Sequence, residues 1–178
     1  LNCLNNPYKF SSDWARMHYF FNGGYPGKEI WEPKGGWLTI MCGLPGSGKN
    51  TWLRKNHSSK IVELDSIRKI PHSDKDGQGK VIQEAKERLR VSLRKGEDVA
   101  WNATSLTEMQ RSPIIELGMT YDSKIRIVYM DCDVKKALTR NKERPEKEML
   151  PELSIHKMYK KFEMPNLTEC HKLEIITL

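Results

Sequence analysis

The chain has 178 residues, with 30 Lys and Arg against 23 Asp and Glu and a net charge of +7; that length suits one domain with an appended arm. At 38% hydrophobic and 30% charged residues, with a mean hydropathy of −0.66, it is polar for a globular protein yet too rich in apolar residues to be disordered. No run approaches the ~18 consecutive apolar residues of a membrane-spanning helix, which excludes an integral helical membrane protein, and the basic excess favours polyanionic partners such as nucleic acid or nucleotides.

Residues 1–36 stand apart. They combine aromatics (Tyr8, Phe10, Trp14, Tyr19, Phe20, Phe21, Tyr25, Trp31) with turn formers (Gly23, Gly24, Pro26, Gly27, Pro33, Gly35, Gly36). One or two helical turns are expected at 11–21, with Ser12 or Asp13 as cap, and the rest reads as an aromatic-rich arm or interdomain linker. Exposing so many aromatics is costly, so the arm is expected to pack on the core or on a neighbour. From residue 37 to 178 strand and helix patterns alternate, which predicts one domain. Residues 37–42 form a short apolar run bounded by glycines, a buried strand. A helix starts at 48–55 and a second strand spans 60–64. In the helix 80–95, Val81, Ile82, Ala85, Leu89 and Leu93 share one face. Residues 98–101 are a third strand, 106–117 a helix that Pro113 is expected to break or kink, and 124–132 a fourth strand. Helices at 133–142 and 152–162 flank a charged stretch, and 173–177 closes as a β-branched strand. This alternation implies a parallel sheet covered on both faces. No internal repeat or low-complexity tract interrupts it.

Cys3, Cys42, Cys132 and Cys170 are scattered, without a CxxC pair. That spacing suggests free thiols in a reducing cytoplasm, with Cys42 and Cys132 in the core. No secretory signal opens the chain, and its expected location is cytoplasmic. It opens on Leu1 rather than Met, so a fragment of a larger polypeptide is expected.

The strongest chemical signal is the stretch Gly43, Leu44, Pro45, Gly46, Ser47, Gly48, Lys49, Asn50, Thr51. It matches GxxxxGK and lies between a buried strand and a helix, as a phosphate-cradling loop must. Gly43, Gly46 and Gly48 permit the tight turn, backbone N–H groups and the helix N-terminus attract the anion, and Lys49 would bridge the β- and γ-phosphates of a nucleoside triphosphate. Asn50 stands where Ser or Thr normally binds Mg²⁺, with Thr51 one place later. Asn50 offers a neutral amide oxygen to the metal, directly or through water; the alternative is a metal-impaired loop. Asn102, at the end of the third strand in Asn102-Ala103-Thr104, is a second neutral residue where many P-loop proteins carry an acid. The glycosylation patterns at Asn102 and Asn166 are accidental in a cytoplasmic enzyme.

Asp65 follows the second strand, whose carboxyl edge faces the ligand crevice of such a sheet. A carboxylate there can take the proton of an attacking hydroxyl. Arg68 lies three residues on, placed to hold an acceptor phosphate. A helix-capping Asp with a surface Arg is the alternative, and the loop upstream favours the functional reading. Arg140 and Arg144, at i and i+4, would present two guanidiniums on one helical face. Arginines so placed stabilise charge on the γ-phosphate oxygens, in a lid that closes on the nucleotide; a solvated charged helix is the alternative.

In this order, the 43–51 loop, Asp65-x-x-Arg68, Asn102-Ala-Thr104, Arg140-x-x-x-Arg144 and the Met158-Tyr159-Lys160 helix, the chain resembles the kinase domain of polynucleotide 5′-kinases, including the bacteriophage end-healing enzyme. The resemblance runs from Trp37 to the C-terminus. It implies a kinase-type P-loop NTPase fold with a five-stranded parallel sheet in order 2-3-1-4-5, helices on both faces and an arginine-bearing lid. It implies transfer of the γ-phosphate of ATP or GTP, with Mg²⁺, to 5′-OH ends of RNA or DNA. Asp65 is then the general base, Arg68 grips the acceptor's phosphate, and Arg140 and Arg144 contact the donor. The arm, with Asn6-Pro7, Phe10-Ser-Ser-Asp13-Trp-Ala-Arg16 and Tyr19-Phe20, is similar to the connector of bacterial bifunctional proteins that join an HD phosphohydrolase module to a C-terminal polynucleotide kinase. Asn50 and Asn102 depart from the phage enzyme. A small-molecule or nucleoside kinase, and a catalytically weak nucleotide-binding module, are the competing readings.

Overall fold

The structure is a computed structural model that describes residues 9–57, 59–68 and 77–177. Cys3, Asn6, Pro7 and Tyr8 lie outside the described residues. In chain order the elements are α1 (Asp13–Asn22), β1 (Trp37–Cys42), α2 (Lys49–Asn56), β2 (Lys60–Glu63), α3 (Leu64–Arg68), α4 (Gly77–Arg94), β3 (Val99–Asn102), α5 (Glu108–Thr120), β4 (Lys124–Asp131), α6 (Val134–Lys142), a 3₁₀ turn (Glu146–Glu148), α7 (Glu152–Lys160) and β5 (Lys172–Thr177).

The five strands form one parallel sheet in the order β2-β3-β1-β4-β5, as expected. β1 is central and buried along nearly its whole length, which is why it reads as a continuous apolar run rather than an alternation. Its side chains still point to alternate faces. Leu38, Ile40 and Cys42 enter a core shared with Val81, Ala85, Leu89 and Leu93 of α4 and with Ile114 and Ile115 of α5. Met41 faces the other way, against Leu53 of α2, Ala100, Val128 and Met130. Each fully buried Leu or Ile here contributes about 1.5–3 kcal/mol relative to an exposed one. A third cluster of Leu44, Leu106, Cys132 and Ala137 closes the carboxyl end of the sheet, with Met158 and Phe162 packed on it.

Several boundaries differ from the sequence expectation. Leu64 opens α3 rather than ending β2, so Asp65 sits in a first helical turn. Ile82 belongs to the shoulder of the α4 stripe and is 41% exposed, whereas the buried Ser92 takes part in the covered face. Pro113 neither breaks nor ends α5. The helix runs on to Thr120 behind a capping box of Thr107 and Gln110, and the buried Ile114 and Ile115 hold the stretch around the missing N–H in place.

Helix α1 of the arm packs on the body, whereas Phe20, Phe21, Tyr25 and Trp31 are exposed, against the expectation that the arm's aromatics would be covered. Ser12 caps α1 by accepting from the Ala15 N–H. Met17 is fully buried in the main core, and Trp14 lies 5.0 Å from the His171 ring. The Arg16 guanidinium donates to the carbonyls of Leu167, Cys170 and His171. His171 is itself buried and accepts the Ile125 N–H on Nδ1 at 2.7 Å, so it is neutral there; burial, with Arg16 nearby, pushes its pKa down to about 4. Cys42, Cys132 and Cys170 are free and buried. Among the described residues no helix is long and apolar enough to cross a membrane.

Candidate functional site

β1 ends at the carboxyl edge of the sheet and the chain turns through residues 43–48 into α2. Gly43, Gly46 and Gly48 have φ of +147°, +82° and +86°, a region glycine reaches without strain. A Cβ on Gly46 would lie 2.6 Å from the Ala137 carbonyl oxygen, and one on Gly43 2.8 Å from the Ser47 hydroxyl. The turn is tied by Gly43 N–H to the Thr104 carbonyl at 2.9 Å and Ser47 N–H to the Leu44 carbonyl at 3.1 Å. Gly48 caps α2 without a side-chain hydrogen bond. The first N–H groups of that helix have no intrahelical acceptor, so with the helix dipole they favour an anion.

The Lys49 ammonium donates to the carbonyls of Gly43 (2.8 Å) and Leu44 (2.7 Å). Burial is the largest influence on it and lowers its pKa from 10.5 to about 8. Arg144 lowers it further, while Cys42, Asp65 and Cys132 act in the opposite sense. Burial holds the Cys42 thiol up at about 11, so that group is neutral near pH 7. Arg144 and Asp65 are the guanidinium and the carboxylate that act on Lys49. Both act on the ammonium through charge, Asp65 from α3 and Arg144 from the segment after α6.

Asp65 is exposed in the first turn of α3. Arg68 ends that helix, and its side chain lies outside the described residues. Arg140, on α6, reaches back to the loop, with Nη1 3.4 Å from the Gly46 carbonyl oxygen. Arg144 corrects the expectation of a shared helical face, because α6 stops at Lys142. Arg144 lies in the turn beyond, its N–H bonded to the Asn141 carbonyl. The buried Asn141 closes that turn by donating to the Leu150 carbonyl (2.7 Å) and accepting the Leu150 N–H (3.1 Å). Leu44, Pro45 and Ser47 lie within the loop, and Thr51 is exposed on the first turn of α2.

Asn50 and Asn102 meet, and a third residue that the motifs did not signal joins them. Glu63 pairs with Asn102 in the β2–β3 register. Its Oε1 accepts from Asn50 Nδ2 (3.1 Å) and Asn102 Nδ2 (3.2 Å), and Asn102 Nδ2 also donates to Asn50 Oδ1 at 2.8 Å. The Ser66 hydroxyl donates to Glu63 Oε2. These residues line a cavity of about 290 Å³ with Leu53 and Val62 at its apolar wall. The Glu63 carboxylate is the hard oxygen donor here, with Asn50 Oδ1 already accepting from Asn102, and Mg²⁺ sites commonly use one or two carboxylates beside substrate phosphates and retained waters. The residues fit such an ion.

A buried ion pair braces the site from behind. Arg111 and Glu169 bond through two contacts, Nε to Oε2 at 2.7 Å and Nη2 to Oε1 at 3.0 Å. Arg111 Nη1 also donates to the carbonyls of Ser105 and Glu163. Ser105 is held at φ +46°, one residue after the Thr104 carbonyl that receives the loop's Gly43 N–H. The two partners are 58 residues apart, and no sequence spacing announces them.

A glycine loop between a central parallel strand and a helix, in a sheet of this order, defines a P-loop domain of the kinase type. The AAA domain family matches residues 38–165, and the chain belongs to that family. Three solved structures share the fold. A presumptive kinase from Chloroflexus aurantiacus superposes with a TM-score of 0.65 at 13% identity, over 81% of this chain and 86% of that one. A chain of the Pnkp1/Rnl/Hen1 RNA repair complex gives 0.64 at 18%, over 78% of this chain and 46% of that one, so the present chain spans less than half of that relative. A gluconokinase from Sinorhizobium meliloti gives 0.56 at 17%, over 83% and 84%. At such identities the likeness is one of fold, which hosts many acceptors.

Proposed function

We propose that this domain is an NTP-dependent polynucleotide 5′-hydroxyl kinase, moving the γ-phosphate of ATP or GTP to 5′-OH ends of RNA or DNA in nucleic-acid end healing or repair. The observation that carries the reading is the Lys49 ammonium held on the Gly43 and Leu44 carbonyls of the glycine loop, where Arg144 and Asp65 both act on its charge. Donor phosphates lie on the N–H groups of the 43–51 loop, and Lys49 binds the terminal ones. Asp65 accepts the proton of the incoming hydroxyl, an effect typically worth ~10²–10⁴-fold. Arg140 and Arg144 stabilise the charge that spreads over the γ-phosphate oxygens. Arg68 holds the acceptor's phosphate. Asn50, directly or through water, would hold Mg²⁺, which when bound neutralises phosphate charge.

The net charge of +7, the Asp65-x-x-Arg68 motif and the likeness to a chain of an RNA repair complex support a polymer acceptor. Residues 1–36 then serve as the arm or linker to a further domain of a larger polypeptide, and 37–178 as the kinase. The gluconokinase likeness favours a small-molecule acceptor instead. The neutral residues at 50 and 102 favour a weakly catalytic nucleotide-binding module. The deciding assay is metal-dependent transfer of radiolabelled γ-phosphate to a 5′-OH oligonucleotide, a nucleoside and gluconate in parallel. Transfer to the oligonucleotide that is lost in Lys49→Ala supports the proposal. Transfer to a small acceptor alone, or to none, refutes it.

A further inference from the structure

We infer that Glu63 supplies, from the end of β2, the negative charge that holds a divalent cation at the triphosphate site. Many P-loop proteins place that acid at the end of the third strand, where this chain has Asn102. The inference rests on the reading of the 43–51 loop as a triphosphate site.

Three observations carry it. The first is register. Glu63 and Asn102 are paired neighbours at the carboxyl ends of β2 and β3, so a carboxylate on one strand stands beside the position vacated on the other. The second is the hydrogen-bond pattern. Both amides turn an NH₂ group toward Glu63 Oε1, and Ser66 gives its hydroxyl proton to Oε2. Each hydrogen bond described to these oxygens comes from an uncharged donor, so the bonds orient the carboxylate while its charge persists. The residue immediately after Lys49 is thus linked directly to an acid. The third is space. The cluster opens on a cavity of about 290 Å³, and six waters at about 30 Å³ each fit inside it, enough for Mg²⁺ with its inner shell. Arg54 and Arg88 also line the cavity, and Arg88 is paired with Glu84 at 2.8 Å.

A merely structural Glu63 would stitch β2 to α2 and nothing more. The two roles separate when the charge is moved while the shape is kept. Mn²⁺ is titrated into the full chain saturated with a non-hydrolysable ATP analogue, and bound metal is read by electron paramagnetic resonance. Glu63→Gln is expected to weaken Mn²⁺ binding about 10- to 100-fold, the usual loss when a group supporting a metal site is removed. Its affinity for the metal-free analogue should stay within about twofold of wild type. Asn102→Asp in the Glu63→Gln background should recover at least about tenfold, since it restores an acid at the neighbouring strand end. Asn102→Asp alone, made in case Glu63→Gln does not fold, should tighten Mn²⁺ binding. Unchanged Mn²⁺ affinity in Glu63→Gln, no recovery in the double variant, or no tightening in Asn102→Asp would overturn the inference while leaving the triphosphate site intact. Failure of the wild-type chain to bind the metal-free analogue would remove the triphosphate reading, and the inference with it.

Discussion

Lys49 makes the sharpest quantitative prediction, because its pKa is displaced in a direction that a bound triphosphate must reverse. Burial, reinforced by Arg144, lowers it from 10.5 to about 8. At ~1.4 kcal/mol per unit this is roughly 3 kcal/mol held against the charged form. The unfolded chain binds more protons than the folded one between about pH 8 and pH 10.5, so the strain is fully present below pH 8 and is relieved as pH rises through that window. Phosphate oxygens on the loop favour the ammonium and push the pKa back up. Above about pH 8, binding is therefore coupled to proton uptake. At about pH 9 a group with a pKa near 8 is roughly nine-tenths deprotonated, so close to one proton enters per triphosphate bound. Affinity should fall toward about tenfold per pH unit above pH 8 and level off below it. Titration calorimetry of a metal-free triphosphate analogue, run at about pH 9 in buffers of different ionisation enthalpy, reads the proton number directly. Lys49→Ala should abolish both the uptake and the slope. No uptake by the wild type, or equal uptake by the variant, would refute the assignment of Lys49 to the phosphates.

Further expectations follow from the same geometry. Asp65→Asn should abolish most transfer to a 5′-OH oligonucleotide, a loss of ~10²–10⁴-fold, with triphosphate affinity little changed; near-wild-type turnover would leave Asp65 only an acid in the first turn of α3. Arg68→Ala should mainly raise KM for the oligonucleotide, whereas Arg140→Ala with Arg144→Ala should lower kcat, and steady-state kinetics on both substrates tests the division. Arg111→Met leaves the Glu169 carboxylate buried without its partner, which should cost about 3–5 kcal/mol in urea unfolding; a loss under about 1 kcal/mol would mean the pair braces nothing. Gly46→Ala puts a Cβ 2.6 Å from the Ala137 carbonyl oxygen at φ +82°, so calorimetry should find triphosphate binding lost while circular dichroism still reports a folded chain.

Sequence alone determined what is local. The glycine loop is legible because its turn, its open N–H groups and its lysine are set by nine consecutive residues. The burial of β1 and the apolar stripe of α4 are legible because strand and helix periods write themselves into hydrophobic spacing. The sheet order was implied by the resemblance those motifs carry, and the strand pairing bears it out. The Glu63, Asn50 and Asn102 cluster needed the β2–β3 register, which brings three residues from three elements within hydrogen-bond reach. Arg111 with Glu169, and Arg16 with the carbonyls near His171, needed the folded chain for the same reason, since burial forces each charged group to find a distant partner. Tertiary packing also overrode local preference. The covered face of α5 carried the helix through Pro113, and the Asn141–Leu150 clasp closed a turn that took Arg144 off the helical face its spacing suggested. Motifs therefore marked the candidate phosphate loop in advance, while the groups packed around it became visible only where strands and loops distant in sequence lie side by side.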